Sequence, residues 1–401
     1  MVITMGEWKE CTLSDIGTIV GGATPSTKDI SNYENGDISW ITPKDLSGYD
    51  KRYISFGERN ITEKGLKSCS TQLMPPNTIL FTSRAPIGYV AIAEKELCTN
   101  QGFKSIIPND ETDFLFLYYL LKYNKNNIEN MGSGTTFKEV SANTMKNIVV
   151  KVPTNLDEQK KISSILGSLD DKIEENNKIN NNLEEQMRSV FVRMFGEKID
   201  SLEECSTTLS DLVASVDNRG KTPPLSSEIT NYPIIDVRAL SGNTRVIDYD
   251  NCSKYVSEET YNNWFRNGHP QPYDILISTV GSLAEMKLFL GDIGCIAQNV
   301  VGFRCKDVSP LYIYQYLNYI KNDLVAYNIG SVQPSIKVTH IIKHSIFLPN
   351  KTEIDKFDEI ARNMTNQIYA NHKEIENLTQ LRDVLIPKLL SGELDVSNIE
   401  L

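Results

Sequence analysis

Residues that could bind a metal or act as nucleophiles are few in this chain of 401 residues. The seven cysteines, at positions 11, 69, 98, 205, 252, 295 and 305, are odd in number and include no Cys-x-x-Cys pair. This pattern favours reduced packing residues over disulfides. Of the four histidines, His340 and His344 could share a metal on a helix. The surrounding HIIKHSIF is more typical of a strand, so we predict no metal site.

Motifs for cofactor chemistry are missing from the sequence. It contains no Gly-x-x-x-x-Gly-Lys-Ser/Thr loop, no Gly-x-Gly-x-x-Gly after a predicted strand, and no Asn/Asp-Pro-Pro-Tyr/Phe motif of an amino-methyltransferase. MPPN (74–77) and TPPL (222–225) do not replace the last of these. We therefore predict a chain without catalysis or cofactors of its own. The alternative is an enzyme whose site these motifs do not reveal.

Charge and hydropathy limit the class of protein. The formal net charge of −11 argues against a general nucleic-acid binder, but the acidic excess is concentrated in 156–200 and 353–401. The remaining segments are close to neutral and can still present basic faces. No apolar run approaches the roughly 18 residues of a membrane span, and the first residues do not resemble a signal peptide. We expect a cytoplasmic protein that does not bind membranes.

The sequence segments that would position any site occur twice in the chain, about 196 residues apart. TLSDI (12–16) returns as TLSDL (208–212), and TILFTS (78–83) lies opposite DILIST (274–279). Each half has about 150 residues of short apolar runs divided by Gly, Pro and Asn turns, which is typical of a compact α+β domain. Each half then continues into a long helical pattern. The sequence thus predicts an internal repeat with pseudo-twofold character.

The two long helices are predicted from apolar residues that step alternately by four and three. The first run extends from Ile162 to Met194 and the second from Phe357 to Leu389, which is a coiled-coil spacing. Asn155 with Glu158 and Asn350 with Glu353 resemble capping boxes. Gly196 and Gly392 are suited to end the helices.

The segment DKIEENNKINNNLEEQM (171–187) places asparagines, which are poor helix formers, inside the first predicted helix. If the two helices pair antiparallel in full overlap, Asn180 faces Asn371 on the seam. A buried polar pair fixes the register of a coiled coil at some loss of stability. The alternative is that these asparagines are solvated where the pair opens.

The chain resembles the specificity subunits of type I restriction-modification systems over essentially its whole length. The segments that carry the resemblance follow in the order that the family shows: EWKECTLSDIG (7–17), GGATPS (21–26), GDISWITPKDLSG (36–48), ILFTSRAPIGYVAI (79–92), CTNQGFKSIIP (98–108), GSGTTFKEVS (132–141), the strand-Pro-DEQKKI junction (148–162) and PKLLSGEL (387–394). Each motif is weak alone, and their order together with the duplicated halves makes the match specific.

The resemblance implies a DNA-recognition subunit without catalysis. Its fold would be α+β, with two similar target recognition domains (1–153 and 201–349) separated by two long antiparallel coiled-coil helices (154–200 and 350–401). It would read an asymmetric bipartite site in double-stranded DNA and bind two copies of an adenine methyltransferase subunit. A translocating restriction subunit can join such an assembly. S-adenosylmethionine and ATP would belong to those partners. The alternative is a coiled-coil scaffold for partners other than DNA.

Loops that interrupt the matched strands are the best places to seek DNA contacts, because Lys, Arg, amide and hydroxyl side chains bind phosphates and base edges. In the first half these candidates are Thr24, Ser26, Lys44, Arg84, Thr135, Thr136 and Lys138. In the second half they are Arg219, Lys221, Thr222, Arg238, Thr279, Ser331, Gln333, Ser335 and Lys337.

Matched positions in the two halves suggest which contacts are shared. Lys44 and Arg238 occupy equivalent places, which suggests a shared phosphate contact, whereas Arg84 aligns with Val280. Different side chains at matching positions predict that the halves read different sequences. The alternative is that these segments are ordinary turns with solvated surface charges. Tyr118, Tyr119, Tyr314 and Tyr316 are predicted to be core residues rather than base-stacking ones.

Overall fold

The computed structural model describes residues 7–84, 86–134, 138–201, 206–396 and 399. The chain divides into unit 1, which comprises Met1–Glu174 and Asn377–Leu401, and unit 2, which comprises Glu175–Glu376. Both dividing points fall inside long helices. This division differs from the four segments predicted above, because each helix contributes one end to the core of each unit. Among the described residues, no helix is long and apolar enough to cross a membrane.

Among its described residues, unit 1 contains ten strands, five short helices and one end of each of two long helices. In chain order they are β1 Trp8–Thr12, α1 Leu13–Ile16, β2 Gly17–Gly21, β3 Ile38–Ile41, β4 Tyr53–Ile54, β5 Arg59–Ile61, α2 Glu63–Lys67, β6 Ile79–Ser83, β7 Ile87–Ala93, β8 Cys98–Thr99, β9 Lys104–Pro108, α3 Phe114–Tyr123, α4 Lys125–Asn130, α5 Ala142–Lys146, β10 Val149–Pro153 and α6 Leu156–Phe191.

The main sheet of unit 1 has five strands in the order β2-β9-β6-β7-β4. A smaller sheet consists of β1 and β10, and another has three strands in the order β5-β3-β8. The apolar run of α3 packs on the main sheet, together with Ile162 and Leu166 of α6 and with Leu389 and Leu390 near the chain's end. The two long helices therefore contribute core residues to unit 1 and are more than linkers.

Among its described residues, unit 2 completes α6 and contains four strands, six short helices and the first part of a second long helix. After α6 and a π-helical turn (Val192–Gly196) come α7 Glu197–Asp200, α8 Leu209–Leu212, β11 Val213–Val216, α9 Glu258–Trp264, β12 Ile275–Ser278, β13 Met286–Leu288, β14 Val300–Cys305, α10 Pro310–Tyr319, α11 Lys321–Ala326, α12 Val338–Ile342 and α13 Lys351–Leu390.

The sheet of unit 2 repeats the main part of the unit 1 sheet. Its order β11-β14-β12-β13 corresponds to β2-β9-β6-β7, with the matched TILFTS and DILIST segments in β6 and β12. The helix before the first sheet strand is also repeated. Thr12 with Asp15 and Thr208 with Asp211 each form a capping box at its start. The predicted α+β internal repeat is confirmed.

The predicted helix ends are confirmed in part. Asn155 and Asn350 precede α6 and α13, and their side-chain oxygens accept the backbone N–H groups of Asp157 (2.8 Å) and Glu353 (3.0 Å). Gly392 follows α13 with a positive φ of 79°. The prediction for Gly196 was wrong: it has helical φ and ψ angles, because the π-helical turn carries α6 directly into α7.

Within unit 2, α6 and α13 are antiparallel, and their contact contains the predicted asparagine pair. Asn371 Nδ2 donates to Asn180 Oδ1 (2.8 Å), and Asn176 Nδ2 donates to Glu374 Oε2 (2.8 Å). Asn371 Oδ1 also accepts from Gln367 (2.7 Å). Asn176, Asn180 and Asn371 are at most 6% exposed. These asparagines are therefore buried and paired, which excludes the solvated alternative for them; their role in setting register stays a prediction.

We expect the double substitution Asn180→Leu with Asn371→Leu to raise the stability of the isolated chain by ~1 kcal/mol, because two buried amides are replaced by apolar groups. Asn371→Leu alone should lower the stability by about 1–3 kcal/mol, since the buried Oδ1 of Asn180 then loses the amide N–H that donates to it. Hydrogen exchange of α6 amides measures both. A double variant no more stable than the single one contradicts this account of the seam.

Each unit is also tied to α6 by a buried arginine. In unit 2, Arg245 Nε and Nη2 donate to Glu184 (2.9 and 2.7 Å), and Nη1 donates to Thr365 of α13 (2.7 Å). In unit 1, Arg52 Nε donates to Glu174 (2.8 Å), and a second nitrogen binds Asp171. Both backbone N–H groups donate to the same glutamates, at 2.8 Å for Arg245 and 3.3 Å for Arg52. These contacts fix the α+β part of each unit on its helices.

Candidate nucleic-acid interface

One end of the unit 1 sheet gathers most of the loops selected from the sequence. β2 ends and β9 begins there, since Gly21 pairs with Lys104, and Thr82 of β6 forms a bridge to Phe103. The loop that contains Lys138 joins the same end, because Glu139 forms a bridge to Arg84. Four loops thus meet at this end of the sheet. Antiparallel topology places the ends of β2 and β6 there beside the start of β9.

The same end of the unit 2 sheet has the same loops. Ser278 at the end of β12 pairs with Val300 at the start of β14, and Val280 forms a bridge to Ser335. The backbone bond from Ile329 to Ser335 (2.9 Å) matches the one from Ser133 to Glu139 (3.1 Å) in unit 1. The loop ends therefore correspond at an offset of 196, the spacing used to align the two halves. Main chain is conserved between the units while side chains differ.

In each unit, one of the predicted threonines forms a hydrogen bond with a glutamine side chain. Thr24 donates its hydroxyl to the side chain of Gln101, and Gln298 donates its amide to the hydroxyl of Thr222. All four residues are at the surface. The same two residue types pair in both units, with donor and acceptor exchanged, so the pair is suited to a role that does not depend on base sequence, such as contacting phosphates. The glutamines were missed from the sequence, although CTNQ (98–101) and CIAQ (295–298) match.

The charged candidates of unit 1 lie close to a carboxylate. Arg84 Nη1 is 3.8 Å from Glu139, and Lys104, which the sequence did not single out, is 3.6 Å from the same carboxylate. Lys138 and Ser26 are exposed. Thr135 and Thr136 lie outside the described residues. In unit 2 the positions of Arg84, Lys104 and Glu139 are taken by Val280, Val301 and Ser335, so this charged cluster is specific to unit 1.

The equivalent cations Lys44 and Arg238 are both paired. Lys44 Nζ lies 2.6 Å from Glu58, and both side chains are more than half exposed. Arg238 binds Asp236 (3.5 Å) and Ser253. Exposed ion pairs contribute little stability, so a phosphate can replace either carboxylate at small cost. The suggested shared phosphate contact thus stays a prediction.

The remaining candidates of unit 2 divide into exposed and buried residues. Ser331, Gln333 and Lys337 are exposed, and Ser335 is half-buried. Thr279 does not lie at the surface as the sequence predicted. It is fully buried, and its hydroxyl donates to the carbonyl of Asn299 (3.2 Å). It links the loops through its backbone, which donates to the carbonyl of Asn299 (2.7 Å) and accepts from the N–H of Ile336 (2.9 Å) just beyond the end of β12. Its hydroxyl also lies 3.5 Å from Nη1 of Arg219.

The expectations about histidines and tyrosines had different outcomes. The strand predicted around His340 was wrong, since Val338–Ile342 forms α12, and His344 instead contacts the hydroxyl of Tyr327 (2.8 Å). In the part of the chain that the structure describes, no group of three or more His, Cys, Asp or Glu could hold a metal ion. The four tyrosines predicted as core residues, Tyr118, Tyr119, Tyr314 and Tyr316, are at most 4% exposed, as predicted.

Comparisons with known proteins agree on one family. The family model described as type I restriction modification DNA specificity domain matches residues 5–185 and 206–380. The MjaIX specificity subunit of Methanocaldococcus jannaschii is 32% identical over 415 residues, covering 98% of this chain and 95% of that protein. The EcoR124I/EcoR124II specificity subunit of Escherichia coli is 32% identical over 169 residues, 41% of each chain.

A solved structure shows the same fold. The crystal structure of a type I restriction-modification S subunit from M. genitalium matches 97% of this chain and 98% of its own, with a TM-score of 0.62 at 17% sequence identity. The likeness extends over both units, so the repeated architecture described above is shared with that protein.

Proposed function

This chain belongs to the type I restriction-modification specificity subunits, which recognise DNA sequence and are not themselves catalytic, and from that premise we propose that its two units read the two parts of an asymmetric bipartite target. The observation that carries the proposal is the repeated sheet end. Its backbone bonds match in both units, whereas Arg84, Lys104 and Glu139 of unit 1 are replaced at the corresponding positions of unit 2 by Val280, Val301 and Ser335.

Base readout depends on side-chain donors and acceptors, so different side chains on one backbone frame select different base pairs. The matched Thr-Gln pairs and the cations Lys44 and Arg238 are suited to contacts with phosphates, which orient a protein on DNA but carry no sequence information. The asymmetry of the proposed target thus follows from the side chains that differ, and the shared orientation from those that agree.

The partners follow from membership of the family. The chain works with DNA and with other restriction-modification subunits, and we propose that these are two copies of an adenine methyltransferase subunit and, where the host has one, a translocating restriction subunit. S-adenosylmethionine and ATP would be bound by those partners. The long helices α6 and α13 are the proposed attachment surface for the methyltransferase subunits.

The experiment is to coexpress this chain with its methyltransferase subunit and map methylated adenines across a genome by single-molecule sequencing. We expect one motif of two different parts with a constant gap. A stable complex that methylates a symmetric or single-part motif would overturn the bipartite proposal. DNA affinity should also fall steeply with salt, since phosphate contacts release counterions.

A further inference from the structure

Unit 2 has a concave surface of about 540 Å³ beside its sheet end, with walls formed by residues 217–221 and 263–267. The first wall is the loop after β11, and the second is the end of α9 with the turn that follows it. Only Arg219 and Lys221 of these residues were selected from the sequence. The other wall was missed because it lies outside the segments that match between the two halves.

The two walls are bonded to each other. The nearly buried side chain of Asn218 accepts the backbone N–H of Asn267 (3.0 Å) and donates to the carbonyl of Gly268 (2.9 Å). The side chain of Asn267 donates back to the carbonyl of Asp217. The concave surface is therefore held in shape without a ligand, which reduces the ordering that binding requires.

Its ionised groups leave positive charge exposed. Arg219 is pinned by Asp217 through Nε (2.8 Å) and Nη2 (2.7 Å). Burial alone would raise the pKa of Asp217, but the hydrogen bonds from Arg219 outweigh it and hold that pKa below its usual range. Lys221 and Arg266 are exposed, and no hydrogen bond or ion pair of either is found among the described residues. The concave surface thus carries three positive side chains and one negative one.

Both walls are shorter in unit 1. Between Val20 and Thr24 there are three residues, whereas five separate the matched Val216 and Thr222. The helix that corresponds to α9 is α2, which has five residues instead of seven. Because the backbone frame is otherwise common to both units, walls that are longer in unit 2 are suited to distinguishing one part of the target from the other.

We propose that this concave surface receives one strand of the DNA duplex and that Arg266 and Asn263 determine specificity in the part of the target read by unit 2. The inference rests on the proposed function. Lys221 binds a phosphate from one wall, while the opposite wall reaches base edges. The Arg266 guanidinium matches the O6 and N7 acceptors of guanine. Asn263 uses its amide nitrogen on the carbonyl of Glu259 (3.0 Å), and its free oxygen accepts from an adenine or cytosine amino group.

The test uses the complex with the methyltransferase subunit and duplexes in which each base pair of the target is changed in turn. Arg266→Ala and Asn263→Ala should each relax discrimination at one position of one part of the target by about 10- to 100-fold. The other part should be read as before. Lys221→Ala should instead weaken all duplexes alike and reduce the slope of affinity against salt by about one.

The matched control is Asn262→Ala, which removes the same kind of exposed side chain from the same helix outside the concave surface. It should leave methylation unchanged. If Arg266→Ala and Asn263→Ala discriminate like the unaltered protein, or lose discrimination equally in both parts, the inference is wrong while the proposed function stands. If the unaltered complex shows no two-part specificity, the proposed function itself fails.

Discussion

Arg245→Met is expected to lower the stability of unit 2 by about 3 kcal/mol, because it leaves the Glu184 carboxylate without the guanidinium that binds it in a nearly closed site. The Arg245 side chain is 1% exposed and that of Glu184 is 13% exposed. Methionine keeps the volume of the buried stem, so a cavity accounts for little of the loss. Since the chain has two units, hydrogen exchange of the β12 and β14 amides measures the effect, and those of β6 and β9 in unit 1 provide an internal reference.

The control for this prediction is the double variant Arg245→Met with Glu184→Gln. The amide oxygen of glutamine can still accept the backbone N–H of residue 245, which Glu184 now accepts at 2.8 Å. Because the unpaired Glu184 carboxylate is then gone, most of the lost stability should return. A double variant as unstable as the single one would show that packing, and not the unpaired carboxylate, dominates. Glu184→Gln alone completes the cycle and isolates the coupling between the two side chains.

Contacts of this kind could not be found from the sequence in advance. Arg52 and Glu174 are 122 positions apart, and no periodicity relates them. A partial signal exists in retrospect, because each arginine follows one of the repeated Leu-Ser-Gly segments, 46–48 and 240–242. That signal marks an arginine of importance but does not distinguish a buried anchor from a surface contact with DNA.

The asparagine pair was predictable for the opposite reason. A coiled-coil seam advances by a constant average step, so one assumed overlap assigns a partner to each position. Asn180 and Asn371 accordingly meet at 2.8 Å. The loops at the sheet ends were also located correctly, because two copies of one backbone disclose which positions correspond. The exposure of individual residues was not predictable in the same way. Thr279 has the same residue type as a surface hydroxyl, but its backbone bonds to Asn299 and Ile336 hold it in the interior.

The residues that the sequence missed lie mostly where the repeat is broken. Asn263 and Arg266 lie at and just after the end of α9, which is longer than its counterpart α2, so alignment of the matched segments could not point to them. Such stretches let two copies of one fold differ in shape, in addition to the side-chain differences at matched positions. A search of matched loops therefore finds shared contacts more readily than the contacts that separate one target part from the other.

Gly22→Ala is expected to reduce the DNA affinity of the methyltransferase complex by at least about tenfold, or roughly 1.4 kcal/mol. A Cβ at Gly22 would lie 2.2 Å from the carbonyl oxygens of both Thr99 and Asn100. The backbone must therefore separate there, which breaks the bond from Ala23 N to Thr99 O (3.1 Å) and displaces Thr24 from Gln101. Overpacking of this kind also lowers the stability of unit 1 by about 1–3 kcal/mol.

The neighbouring glycine is the matched control. A Cβ at Gly21 meets no atom within 4 Å, so Gly21→Ala should leave both stability and methylation close to those of the unaltered protein. Both variants add one methyl group, at neighbouring positions, and what that group meets is the main difference between them. Hydrogen exchange of β6 and β9 shows whether the unit 1 core stays folded in each. If Gly22→Ala keeps a folded core and full DNA affinity, the turn at 22–26 is not part of the DNA interface, and the proposed surface of unit 1 must be reduced to the loops around Arg84 and Lys138.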